Sequence, residues 1–156
     1  MADLVFRDGE VPVIETDRLR LRGHRPEDFA HCAAMWADPV VTRYIGGKPL
    51  SEEDAWARTL RSVGHWAWLR FGYWIVEEKA TGNFAGEMGF SDWNREIDPS
   101  LKGVPELGWV FTTRLHGKGY ARRQFAPRLC GAMRIPSRRN RCWERWYASF
   151  TRNIRG

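Results

Sequence analysis

The chain has 156 residues, 43% of them hydrophobic and 13% aromatic, with a formal net charge of +6. That length suits one domain and that composition suits a packed core, which argues against global disorder. No apolar run approaches the ~20 residues that span a bilayer, and the first residues carry no basic stretch followed by an apolar one, so neither a membrane partner nor a secretory signal is expected.

The elements are read in chain order. Glu15 to Arg22 alternates apolar and charged side chains, the pattern of a half-exposed strand. Pro26-Glu27-Asp28 opens a helix, with Phe29, Ala33 and Trp36 on one face and Pro39 just beyond its end. Ser51-Glu52-Glu53-Asp54 caps a second helix, whose apolar stripe reads Trp56, Leu60 and Val63 and whose stop reads Gly64. Tyr73 to Glu78 and Asn83 to Trp93 are two strands joined by the turn 79–82, an antiparallel hairpin. Gly86 and Gly89 mark a bulge or a close backbone approach within it. A polar loop, Asn94 to Pro105, leads to a strand over Glu106 to Thr112, after which a glycine-containing loop turns toward a helix. One strand, two helices and three antiparallel strands make an α+β, mixed α/β fold with a mostly antiparallel central sheet and flanking helices.

The charge is confined. Residues 1–121 hold 15 Lys and Arg against 18 acids, whereas residues 122–156 hold ten Arg and one acid, Glu144. The composition breaks at the same point, because no clear period follows Ala121. The cysteines, Cys32, Cys130 and Cys142, are odd in number and far apart, which fits neither a disulfide framework nor a zinc ribbon and suits a reducing, cytoplasmic setting.

The segment with chemistry in it is Arg114-x-x-Gly117-x-Gly119, directly after a strand. Glycines there let successive amides point one way, and such a nest at a helix start binds phosphate. Neither the dinucleotide fingerprint nor the Walker A loop fits, and a bare G-x-G also suits an ordinary turn. With its surroundings, however, the segment resembles the GNAT superfamily of acetyl-CoA-dependent N-acetyltransferases. It is most similar to the branch that acetylates ribosomal-protein N-termini and to its small-molecule relatives. The resemblance rests on Thr16-Asp17-Arg18-Leu19-Arg20-Leu21-Arg22, Pro26-Glu27-Asp28, Gly86-Glu87-Met88-Gly89-Phe90, Glu106-Leu107-Gly108-Trp109 and His116-Gly117-Lys118-Gly119-Tyr120-Ala121, in that order, across about residues 12–121.

The resemblance implies a GNAT-like fold and transfer of an acetyl group from acetyl-CoA, without a metal, to a primary amine of a small molecule or a protein N-terminus. The backbone of Val110, Phe111 and Thr112 would pair with the pantetheine arm. Amides from Arg114 through His116, Gly117, Lys118, Gly119 and Tyr120 to Ala121 would hold the diphosphate. His116 shapes the loop, and Lys118 faces phosphate or solvent. Glu106 is a candidate to accept the amine proton through water, and Glu87 is a second, though both also read as ordinary strand residues. Trp66, Trp68, Tyr73 and Trp74 are candidate walls of an acceptor pocket, with core packing the simpler reading.

The resemblance stops at Ala121. In the family the chain continues Thr-Glu-Ala and builds a helix, a strand that splays from the cofactor strand, and further elements, none of them legible in residues 122–156. Deleting one base in the codon after Ala121 converts a family-like Ala-Thr-Glu-Ala-Val-Arg-Ala into Ala-Arg-Arg-Gln-Phe-Ala-Pro, the residues at 121–127. Residues 1–121 are therefore expected to be the larger part of one domain and 122–156 a frameshifted tail, which would leave the chain weakly stable and acetyl-CoA poorly bound or unbound, with the activity of the chain as written left open. Two other readings remain open. One is a nucleic-acid binder using Arg138, Arg139 and Arg141 with Trp143, Trp146 and Tyr147, the weaker reading because a shifted frame accounts for the arginines. The other is a non-catalytic remnant of the same fold. The sequence does not set the oligomeric state.

Overall fold

A computed structural model describes residues 11–100 and 102–118. The elements are strands β1 (Ile14–Glu15) and β2 (Leu19–Arg22), helices α1 (Phe29–Ala37), α2 (Pro39–Thr42) and α3 (Glu52–Leu69), and strands β3 (Tyr73–Glu78), β4 (Phe84–Ser91) and β5 (Glu106–Phe111). Short 3₁₀ turns cover Pro26–Asp28 and Thr113–Leu115. The five strands form one sheet in the order β1-β2-β3-β4-β5, every neighbouring pair antiparallel.

Period-2 alternation gives the sheet two apolar faces. One carries Leu19, Leu21, Trp74, Val76, Met88, Phe90 and Phe111, joined by Trp66 and Phe71. The other carries Glu87 and Val110 under α1 and α3, where Met35, Trp36, Val41 and Ala55 pack with Val110. In register across β3, β4 and β5, this helix-covered face presents Ile75–Glu87–Val110 and Tyr73–Gly89–Gly108, with Ser91 opposite Glu106.

The predicted first strand is two short ones. Thr16 breaks it by exchanging hydrogen bonds with the backbone of Leu19. Its last residue also departs from the charged-out pattern. Arg22 is buried, donating to both oxygens of Asp28 at 2.7 and 2.8 Å and to Glu77 at 2.7 Å. Pro26 starts the 3₁₀ turn that runs into α1, and Asp28 accepts from the Arg25 amide as well. Pro39 lies past α1 as expected but opens α2, with Asp38 capping the Val40 amide.

Helix α3 departs most from expectation. Ser51 caps it through the Asp54 amide, and acids fill its first turn, as read. It does not stop at Gly64. It continues to Leu69 and ends where Arg70 adopts the left-handed conformation at φ 61°. The cost of one mid-helix glycine, roughly 1 kcal/mol, is small against the burial that the following turn gains through Trp66. The buried stripe is Ala55, Thr59, Ser62 and Trp66, one position away from the predicted Trp56, Leu60 and Val63. Trp56 and Leu60 are about half exposed, with Trp56 edge-on to Phe29.

The hairpin forms as read, with β4 ending at Ser91. Its register shifts between Val76 and Glu77, beside Gly86 at φ +154°. A Cβ on Gly86 would lie 2.0 Å from the Val110 carbonyl oxygen, and one on Gly89 would lie 2.2 Å from that of Gly72. The two glycines thus supply the bulge and the close approach that the sequence signalled.

Candidate functional site

Strand β5 positions the candidate residues. It starts at Glu106, and at its other end Thr112 leads into the turn Thr113–Leu115 and the loop through Gly117. Five intervals at ~3.3 Å separate the two ends by about 17 Å.

At the loop end, Leu115 N–H donates to Thr112 O, His116 N–H to Thr113 O, and Lys118 N–H to Leu115 O. His116 Nε2 lies 2.9 Å from the Phe111 carbonyl, so the imidazole folds back on the strand end. Arg114 donates to Glu78 at 3.0 Å and to Phe84 O at 2.7 Å, which anchors the turn to the hairpin. Gly117 takes a positive φ of 74°, the backbone freedom its position in the motif requires. Lys118 is exposed. Beside the turn is a cavity of about 510 Å³, lined among others by His31, Asp38, Asn83, Thr112, Thr113 and Arg114. Thr112 lines this cavity, and its Oγ1 is buried with no hydrogen-bond partner among the described residues. Asp38 accepts from the Thr113 hydroxyl, and that hydrogen bond holds its carboxyl below the usual range. Gly119, Tyr120 and Ala121 lie outside the described residues, as do the tail and its arginine-aromatic patch.

The two candidate acids differ in place and environment, Glu106 starting β5 and Glu87 standing opposite Val110 near its loop end. Both Glu87 oxygens are taken, Oε1 by His24 Nε2 at 2.9 Å and Oε2 by Trp36 Nε1 at 2.7 Å, in full burial. Burial alone raises its pKa, but these donors reverse the shift and hold it below the usual range. An ionised carboxylate accepts only, so Nε2 of His24 carries the proton, and its buried Nδ1 has no partner among the described residues. Glu106 is about one-third exposed and pairs with Arg95, Nε to Oε1 at 3.0 Å. The Tyr73 phenol crosses the sheet toward it. A Cβ on Gly108 would stand 1.9 Å from Tyr73 Oη. Burial pushes that phenol's pKa up. Ser91, opposite Glu106, is 1% exposed, and its hydroxyl has no well-formed hydrogen bond among the described residues.

Of the four aromatic candidates, Trp66 and Trp74 are core. They meet edge-on at 4.6 Å and donate to the backbone of Tyr73 and Pro12. Trp68 walls no pocket, because it is 88% exposed on the outer side of α3. Tyr73 alone reaches the β5 face. Sequence reasoning missed Arg58 and Trp93. Arg58 lies 3.9 Å above the Trp36 ring and 5.7 Å from that of Trp93. Its spacing from Ala55 and Ser62 on the true buried stripe was the available signal, and it was hidden by the one-position error in that stripe. Among the described residues no group of three or more His, Cys, Asp or Glu is placed to hold a metal ion, and no helix is long and apolar enough to cross a membrane.

Comparison with known proteins bears on the fold and the family. A family model described as an acetyltransferase (GNAT) domain matches residues 18–127. The uncharacterized protein YkkB of Bacillus subtilis (strain 168) is 34% identical over 121 residues, 74% of this chain and 63% of that protein. The chain therefore spans under two-thirds of that relative's length. A GnaT-family acetyltransferase structure from Bordetella pertussis superposes with a TM-score of 0.60 at 28% identity, over 70% of this chain and 64% of the other. An acetyltransferase structure from Agrobacterium tumefaciens str. C58 does so with 0.59 at 25% identity, over 76% and 63%.

Proposed function

Because the chain belongs to the GNAT acetyltransferase family, we propose that its domain is built to move an acetyl group from acetyl-CoA to a primary amine, of a small molecule or a protein N-terminus. The supporting observation is that β5 runs straight into a glycine loop beside a cavity with an unpartnered buried hydroxyl, while an accessible carboxylate stands at the strand's other end. In this reading the backbone of Val110, Phe111 and Thr112 carries the pantetheine arm, and Gly117 with Gly119, Tyr120 and Ala121 turns amides to the diphosphate. The His116 contact to Phe111 fixes where strand ends and loop begins. The amine nitrogen attacks the thioester carbonyl, the C–S bond breaks with CoA leaving as its thiolate, and the proton lost by the amine passes through water to Glu106. Glu106, held by Arg95 but about one-third exposed, suits that role better than Glu87, which is buried where water does not reach. Glu87 instead holds Trp36 and His24 under the sheet. A likeness to the ribosomal-protein branch supports, on the sequence motifs, a peptide N-terminus as one acceptor class.

Thiol release from acetyl-CoA with a panel of amines tests the reading. Amine-dependent release that is lost in Glu106→Gln is the expected result. Failure of every amine, in the 156-residue chain and in a form with the downstream frame restored, would overturn it. We also propose that residues 122–156 are read from a shifted frame. The family match ends at 127, within the arginine-rich stretch. The gene's DNA across the codon for Ala121 decides this, since a downstream sequence with no family-like frame contradicts it. A shifted frame predicts weaker acetyl-CoA binding by the 156-residue chain than by the restored form.

A further inference from the structure

One cluster on the helix-covered face is not used by the transfer chemistry. Three guanidinium groups surround a single indole. Arg58 lies 5.7 Å, Arg61 5.4 Å and Arg95 5.9 Å from the centre of the Trp93 ring. Arg95 is neutralised by Glu106. Arg58 is not neutralised in this way. It is half-buried, it stacks at 3.9 Å on Trp36, and its guanidinium makes no hydrogen bond or ion pair to any described residue. The nearest buried acid, Glu87, already gives its two oxygens to His24 and Trp36. Burial lowers the Arg58 pKa, a desolvation cost, yet none of its nitrogens is a buried donor without a partner, so the N–H edge keeps contact with solvent. Stacking on Trp36 offsets part of that cost and fixes the plane of the fork, but it leaves the N–H edge unused.

A second observation lies beside the first. The Ser91 hydroxyl is 1% exposed and lacks a well-formed partner among the described residues. By strand register it stands on the same face as Tyr73, Gly108 and Glu106. The buried Ser91 hydroxyl faces the Tyr73 phenol, so the unpaired Arg58 guanidinium is the group left to an anion near where Glu106 would receive an amine proton.

We infer that the acceptor is a small amino-carboxylate of the amino-acid type, whose carboxylate is received by Arg58 while its amine faces Glu106. The inference rests on the transfer reading for the identity of the amine. The anion is assigned to the acceptor because Arg58 borders the same Trp93 ring as Arg95, the ion-pair partner of Glu106. A planar fork held flat on an indole matches a carboxylate edge-on with two parallel hydrogen bonds. Arg58 and the Arg95 that pairs with Glu106 lie 5.7 and 5.9 Å from the Trp93 ring centre, a spacing that suits an amine and an anion a few bonds apart. A protein N-terminus, whose first carboxyl is consumed in the peptide bond, lacks that anion at that spacing.

The test compares each of the common amino acids with its carboxamide, using the 156-residue protein and its frame-restored form. Binding is read by calorimetry with and without CoA, and acetylation by thiol release. The expected result is a preference for the carboxylate member that falls about ten- to a hundredfold in Arg58→Gln and less in Arg58→Lys, which keeps the charge without the fork. Circular dichroism checks that both variants fold. The same preference is expected to survive Arg43→Gln, which removes a guanidinium stacked on Tyr44 away from the site. An equal preference in wild type and Arg58→Gln overturns the inference, as does the absence of binding by any amino acid. Acetylation of amides as readily as of acids overturns it too, while leaving the transfer reading intact. Arg58-dependent binding of amino acids without thiol release upholds the anion site and rejects the transfer reading.

Discussion

The close approach of Tyr73 to Gly108 sets up a rescue experiment. In Gly108→Ala the new methyl meets Tyr73 Oη at 1.9 Å, whereas ordinary contact begins near 3.4 Å, so the hydroxyl must retreat by about 1.5 Å. The phenol is half-buried between Ser91 and the arginines of α3, and it can move only by leaving its rotamer well or pushing its neighbours. Overpacking of this kind costs about 1–3 kcal/mol. The clash is with the far tip of a side chain, not with backbone. Once the hydroxyl is removed in Tyr73→Phe, the nearest remaining ring atom is Cζ at 3.1 Å, which a shift of a few tenths of an ångström relieves. The Gly108 backbone does not occupy the left-handed region, so alanine is conformationally allowed and gains about 0.4–1 kcal/mol from the unfolded state. Gly108→Ala is therefore expected to be clearly destabilising in the wild type and near neutral in Tyr73→Phe, a coupling of about 1–2 kcal/mol. Urea unfolding of the four proteins in the double-mutant cycle reads it directly. Gly89→Ala is the contrast, because its methyl meets the Gly72 carbonyl at 2.2 Å and no side-chain change makes room. A coupling below about 0.5 kcal/mol between positions 73 and 108 would refute the placement of the phenol across β5.

Three other outcomes follow from the same geometry. Gly64→Ala sits mid-helix with no atom within 4 Å of the added methyl, and is expected to raise stability by about 0.5–1 kcal/mol in the same urea assay; a loss would contradict the continuation of α3 through this residue. Asp28 is buried, which by itself raises its pKa, but the Arg22 hydrogen bonds and the Arg25 amide carry it below the ordinary value. A depressed folded-state pKa contributes stability that is present above the unfolded value near 3.9 and is lost as the pH falls through the lower folded value. Asp28→Asn should thus be less stable than wild type at pH 7, and the gap should narrow below about pH 4; thermal unfolding from pH 7 to 2 with a constant gap would exclude the pairing. Trp36→Phe removes the donor to Glu87 Oε2 in a fully buried site and is expected to cost about 2 kcal/mol or more, with a cost under about 0.5 kcal/mol arguing against that bond.

Much of this architecture was legible because it is local. Strand alternation, the Pro26 and Ser51 helix starts and the Gly86 and Gly89 signals depend on neighbours in the chain, and each led to the right element. The errors arose where a distant partner decides. Arg22 reads as an outward strand charge, yet Asp28 and Glu77 reach it from other elements and draw it inside. The α3 stripe is small and polar on its buried side, Ala55, Thr59 and Ser62, because the helix lies close to Trp36 of α1 and to the sheet face that carries Glu87. A search for large apolar residues slides to Trp56 and Leu60, which face outward. That slip concealed Arg58. At the candidate site, Glu87 and Glu106 read alike in the sequence, since both are acids within strands, and burial and partners alone separate them.

That separation follows from sheet position and desolvation. Glu87 is on β4, with β3 and β5 on either side and α1 above, so a charge there survives only with fixed donors on both oxygens. Those donors lower its pKa, and they also bind it into a network that a proton in transit would have to break. Glu106 begins the last strand in the described sheet order, beside a polar loop, and its partner Arg95 is about half exposed. An ion pair in that setting is weak and exchanges readily with water. The two acids thus divide structure from chemistry along β4 and β5. The inner carboxylate fixes Trp36, Trp36 fixes the plane of Arg58, and the outer carboxylate stays near solvent. On this account Glu87→Gln, which keeps one acceptor oxygen but no charge, disturbs Trp36 and the Arg58 preference for carboxylates, whereas Glu106→Gln removes the proton acceptor and leaves that preference in place.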